Sequence, residues 1–211
     1  MSARRAAARA FLVLCAIAAF AACAGESRRH DVHNVARRVL ENPQWRKAMD
    51  RCPADLMPAH QDLAFLQARD CESADKWERC LERCENAGGG ACYWLAYSLQ
   101  ESGAPDAGEV LYQQACRFGV VSGCTNRAAG RVRAAKNRFD GCSVSTFAKA
   151  CELDDPWACT MYATHLTEAG GESNYTLALR ALEKSCKYGA DDPACSGATR
   201  LRARIETALK R

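Results

Sequence analysis

The sequence predicts an all-α chain built from antiparallel helix pairs and stapled by disulfides. Two observations predict it. A cysteine pair with seven residues between its members recurs at Cys84/Cys92, Cys116/Cys124 and Cys151/Cys159, and with eight between at Cys186/Cys195. The first members are 32, 35 and 35 residues apart and the second members 32, 35 and 36, so one unit of about 35 residues is copied along the chain. Apolar residues elsewhere follow helical spacing, and no segment alternates with the period of two that a half-buried strand needs.

Residues 1–22 read as a targeting signal. Arg4, Arg5 and Arg9 precede an unbroken apolar run from Phe11 to Ala22, which is too short to span a bilayer and suits the apolar region of a signal peptide. The run ends in Phe20-Ala21-Ala22-Cys23, followed by Ala24-Gly25-Glu26-Ser27. This resembles a bacterial lipobox, with Phe20 where an aliphatic residue is usual. The resemblance implies a lipidated Cys23 and a chain anchored in the cell envelope, facing the periplasm. Cleavage after Ala24, with secretion, is the alternative. Either route leads to an oxidising compartment, which agrees with 14 cysteines in 211 residues. The net charge is +4, but without the three arginines of the signal the basic count falls from 29 to 26 against 25 acids. That near balance removes the electrostatic argument for a nucleic-acid partner.

Residues 23–30 are short and polar, a tether. Residues 31–57 form an N-terminal helical segment. In it Asp31 caps a helix carrying Val32, Val35, Val39 and Leu40, Asn42-Pro43 ends that helix, and Pro43 opens a second one running through Met49. Cys52-Pro53 breaks the pattern. A helix is expected from Pro58 to Arg69, with Leu63, Phe65 and Leu66 inward. Another starts at Ser73 and carries Trp77 and Leu81 to Cys84.

Residues 58–211 form the repeat array. Four positions before the first cysteine stand Tyr112, Phe147 and Leu182, and one position before it Ala115, Ala150 and Ser185, a single buried stripe. Glycine or aspartate follows at Gly119, Asp154 and Gly189, as a helix end requires. The second cysteine opens the next helix, where Ala96, Ala128 and Ala163 are small enough for close helix approach. Turns at Gly103-Ala104-Pro105, Asp140-Gly141 and Gly170-Gly171 close each unit. Spacings of seven do not match zinc ligand pairs, so the four pairs read as disulfides. Cys52, Cys71, Cys80 and Cys142 admit three connectivities, and the sequence does not choose among them.

The segments Ala115-Cys116-Arg117-Phe118-Gly119 with Cys124, Ala150-Cys151-Glu152-Leu153-Asp154 with Cys159, and Ser185-Cys186-Lys187-Tyr188-Gly189 with Cys195 resemble the Sel-like repeats. These are relatives of the tetratricopeptide repeats, here in their cysteine-rich, secreted, Hcp-like form. The resemblance covers about residues 58–211 and implies a right-handed superhelix with a concave binding groove. It also raises an enzyme reading, because some Hcp-like proteins are described as β-lactamases or penicillin binders. One Ser-x-x-Lys exists, Ser73-Ala-Asp-Lys76, with no Ser-Asp-Asn or Lys-Thr-Gly to accompany it. The same residues read as a helix cap, and the enzyme reading stays second.

The leading reading is a non-catalytic binding protein whose partner is an envelope protein or a cell-wall component. No cofactor is implied, and contact with the membrane is through the N-terminal lipid alone. Candidate ligand-binding residues form a stripe: Tyr93 and Tyr97 (with Gln100), then Arg127 and Arg131, then Thr160 and Thr164 (with Thr167). Aromatic, guanidinium and hydroxyl groups in one line suit a peptide, a glycan or an acidic ligand; a plain solvated helix face is the alternative. Arg127 and Arg131 stand where neighbouring units have Leu95 and Leu99 or Tyr162 and Leu166, so they either face a ligand or pair internally with Glu109 and Asp140. Trp94 and Trp157, at helix starts, read as core or rim, with ligand stacking as the alternative. His30 and His33 share a helical spacing but lack a third metal ligand, and His165 reads as a packed histidine.

Overall fold

A computed structural model describes residues 32–61 and 63–210. The apolar leader, Cys23, the tether, His30 and Asp31 lie outside the described residues. All regular structure among the described residues is helical.

Helix α1 (residues 32–41) buries Val35, Ala36 and Val39 and leaves Leu40 exposed. Arg38 ties it to Glu78 and Glu85 of a later helix. Helix α2 (Pro43–Ala48) starts where expected. The Asn42 side chain accepts from the backbone N–H groups of Gln44 and Trp45, each at 3.1 Å, and Pro43 occupies the first helical position. A 3-10 turn follows at Pro53–Asp55.

The helix expected from Pro58 to Arg69 is not formed. A 3-10 segment, Leu63–Glu72, stands there instead, with a break at Ala68. The residues it buries are Phe65, Ala68 and Cys71, spaced by three, and a 3-10 helix stacks residues three apart on one face. Leu63 and Leu66 fall on another face and are exposed. A second 3-10 turn, Ala74–Lys76, leads into α3 (Trp77–Glu85), which buries Trp77, Cys80, Leu81 and Cys84.

The array continues with α4 (Gly89–Glu101), α5 (Pro105–Arg117), α6 (Val121–Ala134), α7 (Gly141–Glu152), α8 (Pro156–Ala169), α9 (Glu172–Lys184) and α10 (Pro193–Leu209). Each helix packs on its neighbours in sequence, and α10 also packs on α8. Ala96, Ala128 and Ala163 are wholly buried, as are Phe147, Ala115, Ala150 and Ser185 of the stripe before each first cysteine. Those alanines let helices approach, because they add no side chain beyond Cβ at the contact.

The junctions between units are alike. The third residue after each first cysteine has a left-handed backbone: Ala87 (φ 63°), Gly119 (φ 95°), Asp154 (φ 60°) and Gly189 (φ 102°). In three of them the next N–H reaches back across the helix end, Gly88 to Arg83 at 2.8 Å, Val120 to Ala115 at 2.9 Å and Asp155 to Ala150 at 3.1 Å. This is the six-to-one bond of a Schellman ending. It turns the chain so that the second cysteine faces the first, and the bridges Cys84–Cys92, Cys116–Cys124, Cys151–Cys159 and Cys186–Cys195 are formed.

The four remaining cysteines among the described residues pair as Cys71–Cys80 and Cys52–Cys142. The first joins the 3-10 segment to α3. The second fastens residues 48–54 across the array. Gln113 donates to the carbonyls of Ala48 (2.9 Å) and Arg51 (3.0 Å), the backbone N–H of Ala54 donates to Thr146 Oγ1 (3.1 Å), and Lys149 donates to the Ala54 carbonyl (3.1 Å). The buried side chains fall into two clusters, one from Val35 to Val120 and one from Val121 to Ile205. The Cys116–Cys124 bridge crosses between them.

Candidate binding groove

The second cysteine of a unit lies in the first turn of a helix, so the residues just after it belong to the helix starts. In α4 these are Tyr93 and Trp94, with Tyr97 one turn on. Trp94 is held by its indole N–H, which donates to the Phe65 carbonyl at 2.7 Å. Its ring stacks on Phe65 and meets Tyr93 edge-on, centroids 5.2 Å apart. Tyr93 in turn meets Phe65 at 5.1 Å and Tyr112 at 5.6 Å. Tyr97 lies against Trp94 and is 42% exposed.

The start of α8 contributes Trp157 and the loop between α9 and α10 contributes Tyr188, 38% and 54% exposed. Between the two sets runs a groove of about 500 Å³, lined also by Leu66, Ser122, Asn126, Asp155 and Asp192. Rings that are half in solvent, on a floor of buried rings, offer flat apolar area at little further cost in side-chain freedom.

Two carboxylates sit in this lining. Asp155 caps α8, accepting from the Ala158 N–H at 2.9 Å, and its other oxygen accepts from the Ser122 hydroxyl at 2.6 Å. It is 2% exposed. Burial pushes its carboxyl above the ordinary range, against the hydrogen bonds from Ser122 and Ala158. Asp192 caps α10 in the same manner, through the Ala194 N–H at 2.8 Å. Burial also pushes the Tyr93 hydroxyl up to about 12, with the Asp155 charge adding to it, while Asn126 donates to that hydroxyl at 3.3 Å. Among the described residues, no lysine, arginine or histidine lines the groove. Arg69 lies beside it, its guanidinium 4.8 Å from the Trp94 ring centroid and paired with Glu72.

Of the stripe expected from sequence, Tyr93, Tyr97 and Gln100 line the groove. The rest does not join them. Arg127 donates to Glu109 at 3.1 Å, and Arg131 to Asp140 at 2.8 Å, so both guanidiniums are taken up internally. Thr160 is buried, and its hydroxyl is engaged with the carbonyls of Pro156 (3.2 Å) and Ala194 (3.1 Å). Thr164 and Thr167 donate to backbone carbonyls one turn back, the usual refuge of a threonine within a helix. Thr167 lies in a more open hollow with Tyr175 and Arg204. Trp157 reads from sequence as core or rim with ligand stacking as the alternative, and Tyr188 and Asp155 were not in the expected set. The signal for them was positional: each lies within four residues of a repeat cysteine, at the helix ends that face the groove.

Ser73 is exposed and its hydroxyl donates to Asp75, while Lys76 follows on the same 3-10 turn, outside the groove lining. His165 lies half-buried against Phe139, centroids 5.3 Å apart, and His33 is exposed. The ligand atoms of Asp70, Cys71 and Cys80 lie within 4.8 Å of one another, but the two sulfurs are bonded to each other and are not thiolates. No family model matches this chain, and searches of curated proteins and of solved structures return no significant match.

Proposed function

We propose that this chain is a Sel-like repeat protein whose helix pairs wind into a right-handed superhelix, and that it works by binding instead of catalysis. In this reading Cys23 carries the lipid, the array faces the periplasm of a bacterial envelope, and the groove takes an extended segment of another envelope protein. The observation that supports it is the aromatic groove itself. Its lining comes from the 3-10 segment and from α4, α5, α6, α8 and α10, so an occupant would cross several successive elements. Repeat arrays build binding surfaces in this way, from equivalent positions of consecutive units. Large exposed rings around a buried ring floor are the composition of a binding hot spot.

The test uses the oxidised protein as bait in an envelope extract, beside a Trp157→Ala/Tyr188→Ala variant that melts at the same temperature. The reading expects a protein captured by the parent and lost from the variant, with cross-links from Tyr97 or Asn126 into one extended segment of it. Capture that is indifferent to the two rings, or capture of peptidoglycan alone, would overturn the peptide reading.

A further inference from the structure

Helix caps of one kind occur in two settings. Asp140 caps α7 through the Ser143 N–H at 2.7 Å; its side chain is 50% exposed and is paired with Arg131. Asp155 also caps α8, yet it is almost fully buried, its hydrogen bonds come from the Ser122 hydroxyl and backbone N–H, and among the described residues no cation is bonded to it. Asp192 repeats the cap beside it. Both carboxylates line a groove to which, among the described residues, no lysine, arginine or histidine contributes, although Lys187 Nζ lies 5.9 Å from the Tyr188 ring centroid.

A buried carboxylate without a cation is an expensive arrangement, and neither the helix N-terminus nor one hydroxyl supplies a full opposite charge. The groove walls add to the negative field. The faces of Trp157, Tyr188, Trp94 and Tyr97 carry the negative side of their ring quadrupoles, which attracts cations and repels anions. Low-dielectric walls focus such a field into the groove. Arg69 illustrates the affinity at the rim, where its guanidinium already lies against the Trp94 ring.

We propose that the groove selects a cation: the segment it binds presents a lysine or arginine side chain, whose charged head enters among Trp157, Tyr188, Asp155 and Asp192. This rests on the reading of the groove as a peptide site. The occupant is an extended stretch of a partner protein with a basic residue and no acidic neighbour. Its apolar flanks lie on the Tyr93, Trp94 and Tyr97 side.

The test is selection of displayed random heptapeptides on the oxidised protein, with the Trp157→Ala variant as counter-selection. The expected result is enrichment of lysine or arginine and depletion of aspartate and glutamate among the retained sequences. A synthetic copy of the best peptide should bind about tenfold more weakly when its basic residue is replaced by glutamine. Asp192→Asn, which keeps the capping oxygen, should cause a comparable loss with an unchanged melting temperature, and binding should weaken as salt is raised. Asp155→Asn should behave likewise if it folds; Asp192→Asn decides the matter if it does not. If peptides are retained without basic bias, or with acidic bias, the cation inference falls and the groove reading stands. If no peptide is retained over the Trp157→Ala control, the groove reading itself falls.

Discussion

The Glu109 carboxylate fills the space that a side chain at residue 130 would occupy. A Cβ added to Gly130 would lie 2.0 Å from Glu109 Oε1. From that seat the carboxylate accepts from Arg127 at 3.1 Å and from Arg133 at 2.9 Å, and so links α5 to α6. Burial raises the pKa of Glu109, and the two guanidiniums oppose that rise. Gly130→Ala should therefore destabilise the fold only modestly, by roughly 1 kcal/mol net, because the atoms it displaces are the end of a flexible side chain and alanine favours helix by about 1 kcal/mol, so only part of the ion pair is lost. Guanidinium denaturation is the measurement, and an unchanged or raised midpoint would refute the role assigned to this contact.

The two arginines of α6 should differ. Arg127 has a side chain 12% exposed against a carboxylate at 14%, whereas Arg131 and Asp140 are 30% and 50% exposed. Arg127→Gln removes the more buried of the two guanidiniums on Glu109, leaves only the exposed Arg133, and is expected to cost roughly 2 kcal/mol; Arg131→Gln is expected to cost under about 1 kcal/mol. Equal losses in thermal unfolding would contradict the burial argument.

Ala87 holds the left-handed position that Gly119 and Gly189 fill in other units. A Cβ there is strained by about 1 kcal/mol. Ala87→Gly should be neutral to stabilising, while Gly119→Ala should destabilise by about 1 kcal/mol, read as opposite or unequal shifts in melting temperature. A reversal of that order would mean that the turn is not the controlling feature.

The bridge between Cys52 and Cys142 closes a separation of 90 residues, against 8 or 9 for the other five. On the chain-entropy model it is worth roughly 4.5 kcal/mol and each short bridge roughly 2.5 kcal/mol. Replacing both Cys52 and Cys142 by serine should thus lower stability more than replacing the Cys186–Cys195 pair. Mapping of the oxidised protein under non-reducing conditions should recover all six pairs, and any other pairing would refute the connectivity.

Asp140 gives an acid limb to stability. Hydrogen bonding from Ser143, with help from Arg131, lowers its pKa from 3.8 to about 2. A lowered folded pKa contributes stability above the unfolded value, and that stability is lost as pH falls from about 4 through about 2. Because the side chain is half exposed, solvent screening keeps the effect under about 1 kcal/mol. Asp140→Asn should flatten the melting temperature across that window relative to the parent. Parallel curves would show that the group is not linked to folding.

Much of the repeat core was legible because its determinants are local. The stripe Tyr112, Phe147 and Leu182, the small residues Ala96, Ala128 and Ala163, and the four short disulfides all follow from helix period and the distance between neighbouring cysteines. The segment around Leu63 was misread as an ordinary helix. Its apolar residues satisfy periods of three and of 3.6 over so short a span, and contact with α4 selects the tighter one. Arg127 and Arg131 were legible as exceptions to an apolar pattern, and Glu109 and Asp140 were legible as candidate partners, but which alternative holds depends on distances.

By itself the sequence determined the all-helical repeat, the boundaries set by Asn42-Pro43, Gly103-Ala104-Pro105 and Gly170-Gly171, and the staple within each unit. These rest on backbone preferences and contacts within about ten residues. Only the tertiary structure decided that Cys52 meets Cys142, that Glu109 sits over Gly130, and that Trp94, Trp157 and Tyr188 share one groove with Asp155. Those groups are brought together by the packing of successive helices, which depends on how their side chains interlock. No local spacing encodes that sum, so the residues of the groove remained scattered in the sequence until the helices were packed.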